Sequence, residues 1–284
     1  MIKLNNVFNN QNMKCIAQAG QYYVYEHQKD MSVAPHEAAT AYFMNEMNVR
    51  KRQVLVYLNN SAVRVQAGAM QWMAGAVDMD SDVKGVGNLF GKMAKGIVTG
   101  ESAVKPMYKG VGYLMLEPTY HYLILEDVGS WGSGMVLDDG LFLACDAQLQ
   151  EQVVRRQNVS SAVLGGEGLF NLCLSGQGTA VLESPVPKEE LFEINLENDV
   201  LKIDGNMAIA WSSSLQFTVE KSSKSLLGSG LSGEGFVNVY RGTGKVLMAP
   251  TISGTVHTST QGPEQTAATS SQGLASSVVS SLLG

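Results

Sequence analysis

A repeated sequence unit places the strongest constraint on how this chain of 284 residues folds. A Gly-x-Gly motif, predicted as a turn and followed by a short strand and a proline, occurs three times. The copies are MYKGVGYLMLEP (107–118), CLSGQGTAVLESP (173–185) and VYRGTGKVLMAP (239–250). Their first glycines, Gly110, Gly176 and Gly242, follow one another at intervals of 66 residues. A fixed period of this kind predicts a chain built from three equivalent units.

Two further elements precede each Gly-x-Gly motif in the same order. The first is a turn glycine followed by an apolar stretch with the length of a strand, and these glycines are Gly68, Gly140 and Gly205. The second is a Gly-Glu motif eight or nine residues before the Gly-x-Gly motif, and its glutamates are Glu101, Glu167 and Glu234. Because three elements recur in one order, we predict that each set occupies equivalent positions in the fold.

Short apolar or alternating runs, frequent glycine and few helical periods favour an all-β fold. The runs at 54–65 and 191–203 are predicted as strands interrupted by Asn-Asn and Glu-Asn-Asp turns. Three β units, near 52–118, 119–185 and 186–251, predict a pseudo-threefold β-prism or distorted barrel of antiparallel sheets with short helical insertions.

The composition limits the classes of protein to which the chain can belong. Apolar residues make up 45% and charged residues 16%, and the net charge is −6 at pH 7. Such a chain can bury a core and is not intrinsically disordered, and its acidic balance argues against nucleic-acid binding. We expect no signal peptide, mitochondrial presequence or membrane span. Cys15, Cys145 and Cys173 are odd in number and widely spaced, which favours reduced thiols and a cytoplasmic location.

Two helices and a tail are predicted outside the regular pattern of strands. A helix near 35–48 lies in an N-terminal extension, residues 1–51, and residues 252–284 are predicted to be a mobile tail. The second helix, 88–98, is an insertion in the first repeat. Its apolar residues are Leu89, Phe90, Met93 and Ile97, and its basic residues are Lys92 and Lys95. Three roles stay open for it: cover for an end of the prism, a contact between subunits, or a weak contact with a membrane surface.

Several of these motifs are similar to those of a known family. The Gly-Ala-Met turn at 68–70, the TGES motif at 99–102 and the GGEGLF run at 165–170 resemble the altered-inheritance-of-mitochondria protein twenty-four family, over about residues 52–251. The resemblance implies a fold like that of the trp RNA-binding attenuation protein, in which antiparallel sheets form a β-prism or distorted barrel. Mitochondrial members are associated with inner-membrane organisation. No catalytic residues are established for the family, so none are carried over to this chain.

The sequence predicts no catalytic residues, no cofactor and no metal centre. The Gly-x-Ser-x-Gly motif does not occur, and the four histidines do not have the spacing of metal ligands. Glu101, Glu167 and Glu234 have two interpretations. They converge near the threefold axis and bind a cation or the amides of a partner, or each accepts hydrogen bonds from a neighbouring turn. Their recurrence favours the second, structural role.

These observations predict a non-enzymatic cytoplasmic β-prism protein that acts by self-assembly, or as a scaffold for an unidentified protein partner. Low charge and unpaired strand edges favour a homo-oligomer. The alternatives are a peripheral membrane or partner-binding module that uses the 88–98 helix, and a carrier of a small ligand. We expect no binding of nucleic acid, since similarity of fold does not by itself transfer a function.

Overall fold

The computed structural model describes residues 2–80, 105–155, 170–221 and 236–251, which lie in one compact unit, Met1–Ile252. In these residues the fold is all-β, which confirms the predicted fold class. The strands form two curled antiparallel sheets, each with a barrel-like shape. The strands are β1 (Met13–Ala19), β2 (Tyr22–His27), β3 (Arg52–Val65), β4 (Met70–Asp80), β5 (Met107–Leu116), β6 (Tyr122–Asp127), β7 (Met135–Leu137), β8 (Phe142–Asp146), β9 (Gln150–Arg155), β10 (Phe170–Ser175), β11 (Thr179–Ser184), β12 (Phe192–Asp204), β13 (Ala208–Ser212), β14 (Gln216–Lys221) and β15 (Phe236–Met248).

The first sheet has the order β1-β2-β3-β8-β11-β6, with β5 paired to β3 and β4 paired to β5. The second sheet has the order β12-β15-β13-β7-β10-β9, with β14 paired to β15. Strands β1 and β2 come from the segment that the sequence suggested as an extension. Because β2 pairs with β3 along five residues, this segment belongs to the first sheet.

In all three predicted units, strands from the end of the unit lie between strands from its beginning and strands from its middle. In the first unit β5 lies between β3 and β4, and in the third β15 lies between β12 and the pair β13 and β14. The middle unit divides between the sheets: β11 lies between β6 and β8 in the first sheet, and β10 lies between β7 and β9 in the second. A threefold axis that relates the units stays a prediction.

The predicted Asn-Asn and Glu-Asn-Asp turns are wrong, because β3 and β12 run through these sequences without ending. Each strand instead contains an irregularity, where the register shifts between Asn59 and Ser61 and between Leu196 and Asp199. Asn60 and Asn198 take left-handed φ values of 52° and 53°. Asparagine tolerates this conformation both in a turn between strands and in a bulge within a strand. The local sequence therefore does not distinguish the two structures.

Buried side chains form four clusters, the smallest of which, Tyr25, Leu55 and Met115, belongs to the first sheet. The other three form the main core. One lies within the first sheet, around Val54, Leu58 and Leu114. Another lies within the second sheet, where the rings of Trp211 and Tyr240 are 5.4 Å apart. The third joins the sheets, since it combines Phe142 and Leu182 of the first sheet with Leu137, Leu174 and Ala210 of the second. Burial of these side chains stabilises the curvature of each sheet.

The segment predicted as helical, 35–48, contains a 3₁₀ turn, Pro35–Glu37, followed by the α-helix α1, Ala38–Glu46. Pro35 begins the turn, at a position where its missing N–H group is not needed. No residue of α1 is buried. Packing of an apolar face therefore does not hold this helix on the sheet, and other contacts must do so.

Candidate interaction site

The first set of repeat glycines lies at turns that precede strands. Gly68, Gly140 and Gly205 have φ values of 86°, 82° and 71°, and an added Cβ would meet no atom within 4 Å at any of them. Glycine is favoured there because the left-handed conformation strains other residues, and not because space is short. These positions are therefore determinants of the fold.

The second set, Gly110, Gly176 and Gly242, also has positive φ values, of 132°, 106° and 119°. Two of the three predicted turns are wrong, because Gly110 lies inside β5 and Gly242 inside β15, where each pairs beside the bulge of its neighbouring strand. Gly176 lies between β10 and β11, where the chain passes from the second sheet to the first. At Gly110 an added Cβ would lie 2.0 Å from the carbonyl oxygen of Ala76.

The other predicted site residues lie outside the described residues. They are Glu101, Glu167, Glu234, Leu89, Phe90, Lys92, Met93, Lys95 and Ile97. Among the residues described, no group of three or more His, Cys, Asp or Glu side chains is placed to hold a metal ion. The same part of the chain has no helix that is long and apolar enough to cross a membrane.

A buried arginine fastens the C-terminal end of α1 to the first sheet. Arg52, at the start of β3, is 1% exposed, and its Nη2 atom lies 2.8 Å from Oε2 of Glu26 on β2. The same Nη2 donates to the carbonyl oxygen of Asn48 at 3.0 Å, just beyond the helix. The guanidinium group also stacks 4.1 Å from the ring centroid of Tyr122. Arg52 therefore joins two strands to the end of the helix.

Arg50 adds a second connection at the same end of α1. Its Nη1 donates to Oε1 of Glu26 at 3.0 Å, and its Nε donates to the carbonyl oxygen of Asn45 at 3.4 Å. The last carbonyl groups of a helix have no partners within it and carry partial negative charge. Two guanidinium groups near these carbonyls therefore hold α1 in place through polar contacts.

A cavity of about 300 Å³ lies between α1 and the loop that precedes it. We call it the α1 cavity. Its wall includes Lys29, Asp30, Met31 and Val33 of the loop and Ala38, Ala41, Tyr42, Asn45 and Glu46 of the helix. The volume is that of a small ligand site or of a receptor for one large side chain.

An ion pair fixes the loop at the edge of this cavity. Nζ of Lys51 lies 2.7 Å from Oδ2 of Asp30, and the hydroxyl of Tyr120 donates to the same oxygen at 3.3 Å. The hydrogen bond from Lys51 lowers the pKa of Asp30 from 3.8 to about 2, and Asp30 in turn raises the pKa of Lys51. The loop therefore has a defined position, and the α1 cavity is preformed.

The outer side of α1 carries large apolar side chains that are exposed to solvent. The exposed fractions are 61% for Tyr42, 66% for Phe43, 75% for Met47 and 79% for Met31 in the adjoining loop. The rings of Tyr42 and Phe43 lie 5.5 Å apart, edge to face, and Met47 follows Phe43 by one helical turn. We call these four side chains the α1 patch.

The sequence predicted the helix but not the site on it. The available signal was the run Ala41–Met44, in which apolar residues are consecutive and not spaced by three or four. A helix with one face on the core has a single apolar stripe. A helix that is apolar on several sides leaves apolar side chains that its own sheet does not cover. The α1 cavity, in contrast, depends on the position of residues 29–33, which no local pattern indicates.

The fold and the site define an all-β protein of two curled sheets with an uncovered apolar helix. The family profile described as Mitochondrial biogenesis AIM24 matches residues 43–251. The chain belongs to the AIM24 family, which confirms the resemblance in the sequence motifs. The match begins inside α1, so much of the wall of the α1 cavity precedes the region that defines the family.

Individual proteins are similar to the chain over most of their length. It is 30% identical to an uncharacterized protein of Streptococcus pyogenes serotype M6 over 198 residues, which cover 67% of this chain and 77% of that protein. It is also similar to the X-ray crystal structure of a Streptococcus pyogenes protein, with a TM-score of 0.52 and 27% identity. That similarity covers 72% of this chain and 90% of the other.

Proposed function

We propose that the protein has no catalytic role and works by self-association, as a scaffold made of copies of this chain. The α1 patch carries this proposal, because its four large apolar side chains are more than half exposed although the helix is held in one position. A contiguous apolar surface on a folded protein is typical of a site of association. The polar groups around it support the same function, since Arg50, Arg52 and Asp30 all hold the helix or its loop in place.

A cytoplasmic setting is part of this proposal. Cys15, Cys145 and Cys173 are all free thiols, and two of the three are buried in strands. Disulfides are rare in a reducing compartment and frequent in secreted proteins, so three unpaired cysteines favour the former.

Light scattering coupled to gel filtration tests the proposed function with the full-length protein. We expect a mass above 30.5 kDa that increases with protein concentration across the micromolar range. The association should persist at high salt, because apolar contacts are not screened as ion pairs are. A strictly monomeric mass throughout this range would overturn self-association as the function.

A further inference from the structure

We propose that α1 is the interface of a symmetric dimer, in which Phe43 of each copy enters the α1 cavity of the other. This inference rests on the proposed self-association and names the surface that performs it. The partner is a second copy of this chain.

The first argument is that one surface carries both a protruding side chain and a cavity to receive it. Phe43 is two thirds exposed, and the α1 cavity opens beside it on the same helix. A dimer with twofold symmetry places one patch of each copy on the identical patch of the other. Such a contact requires a surface that is complementary to itself. This surface has both a protruding side chain, Phe43, and a cavity that can receive it.

The positions along α1 place these two halves on neighbouring faces of the helix, and Tyr42 belongs to both. Ala38, Ala41, Tyr42 and Asn45, which occupy positions i, i+3, i+4 and i+7 of one helix face, line the cavity. Ala39, Phe43 and Met47 follow one another at intervals of four and form a neighbouring stripe. Ala39 has a small side chain, so it leaves room for a second helix to approach the stripe closely. Phe43 can therefore point toward a partner while the cavity stays open.

The area of the α1 patch matches what a small dimer interface requires. An aromatic side chain buries about 150–250 Å². With the two methionines taken at the lower end of that range, the four side chains, exposed by 61% to 79%, present roughly 500 Å² per copy. Two copies then bury about 1,000 Å², which is near the lower limit for a specific interface. The patch alone therefore has the area of a weak dimer, whose formation depends on protein concentration.

The charge of α1 favours a second copy over an anionic membrane surface. Between Ala38 and Glu46 the only formally charged residue is Glu46 itself, and the net charge of the chain is −6. A helix that binds anionic lipid uses Lys and Arg for electrostatic attraction. The stripe of Ala39, Phe43 and Met47 carries no charge and fits a second uncharged stripe, while the charged residues of the cavity wall, Lys29, Asp30 and Glu46, sum to −1 and do not attract anionic lipid. The contacts of Arg50 and Arg52 hold the helix ready for association without further ordering.

Substitution of Phe43 tests the interface with a matched control. Wild type is expected to sediment at twice 30.5 kDa at high concentration. Phe43→Glu should raise the dissociation constant by roughly 30-fold or more, the change expected at the centre of an interface. Phe192→Glu is the control. It changes a phenylalanine that lies on β12, far from α1 in the sequence, and is 53% exposed, and it should leave the dimer intact. Circular dichroism and urea unfolding establish that both variants are folded.

A mixing experiment tests the match between Phe43 and the cavity directly. Phe43→Ala removes the protruding ring and keeps the cavity, whereas Ala41→Trp fills the cavity and keeps the ring. Each variant alone should be largely monomeric. An equimolar mixture should regain dimer, because the ring of the Ala41→Trp chain can enter the cavity of the Phe43→Ala chain.

The outcomes separate this inference from the proposed function. If wild type is a dimer and Phe43→Glu dimerises equally well, the α1 interface is wrong and self-association stands. If the mixture stays monomeric while both variants are folded, entry of Phe43 into the cavity is wrong. Loss of the dimer in Phe192→Glu would also overturn the assignment to α1. A monomeric wild type overturns the inference together with the proposed function.

Discussion

Arg52 and Glu26 form a buried ion pair whose Nη2 and Oε2 atoms are 2.8 Å apart. The pair joins β3 to β2, and the same guanidinium group reaches the carbonyl oxygen of Asn48 beyond α1. One arginine thus links the first sheet to the helix that carries the candidate interface. This arrangement explains how α1 keeps its position although none of its residues is buried.

Replacement of Arg52 is expected to destabilise the protein strongly. Arg52→Ala leaves the carboxylate of Glu26 with Arg50 and a 3.4 Å hydrogen bond from Gln28, and removal of one member of a buried pair costs up to about 3–5 kcal/mol. Urea unfolding measures the change. The double variant Arg52→Met with Glu26→Leu removes both charges and should be less destabilised than Arg52→Ala. A free energy of unfolding for Arg52→Ala within about 0.5 kcal/mol of wild type would contradict this role.

Asp30 predicts a dependence of stability on acid pH. Its pKa is about 2 in the folded protein, against 3.8 ordinarily, mainly because of the hydrogen bond from Lys51. A lowered pKa contributes stability above pH 3.8, and this contribution is lost as the pH falls toward 2. Asp30→Asn should therefore lower the urea midpoint at pH 6, and its difference from wild type should shrink between pH 4 and pH 2. Asp199→Asn, in the second sheet, is the control. An equal effect of the two substitutions on the urea midpoint would refute the stabilising role of Asp30.

Two repeat glycines should differ sharply in their tolerance of alanine. Gly140→Ala meets no atom and should cost about 1–2 kcal/mol, the strain of a left-handed residue. Gly110→Ala has a similar strain and also places its Cβ 2.0 Å from the carbonyl oxygen of Ala76, so a cost of about 3 kcal/mol or more is expected. Thermal or urea unfolding compares the variants. Equal losses of unfolding free energy at both positions would mean that the close approach of β4 and β5 at Gly110 does not affect stability.

The three cysteines should react at very different rates. Cys15 is exposed, whereas Cys145 and Cys173 are buried, and burial raises the pKa of Cys145 to about 12. Because the thiolate is the reactive form, a disulfide reagent should modify one thiol rapidly in the folded protein and all three after unfolding. Cys15→Ser should abolish the rapid phase. Rapid modification of more than one thiol in native wild type would show that a buried strand is accessible.

The sequence predicts the fold well where a residue type is restricted by backbone conformation. Gly68, Gly140 and Gly205 were predicted as turn glycines, and each has a left-handed φ before a strand. Asn60 and Asn198 show the limit of such local rules, because their left-handed conformation forms bulges within strands and not the predicted turns.

The candidate site was predictable only in part. Pro35 and the residues after it indicated a helix, which α1 forms. Burial of Arg52 was not predictable, because its partners Glu26 and Tyr122 are distant from it in the sequence. The α1 cavity likewise arises from tertiary contacts, since the loop that closes it is held by Lys51 through Asp30.

Oxidation of methionines by hydrogen peroxide tests most directly whether the α1 patch is covered when the protein associates. Met31 and Met47 lie in the patch, and Met79 on β4 is an exposed methionine of the same chain that serves as the internal reference. The account predicts that oxidation of Met31 and Met47 slows as rising concentration converts monomer into dimer, while the rate at Met79 stays constant. Equal rates at Met47 in monomer and dimer would contradict it.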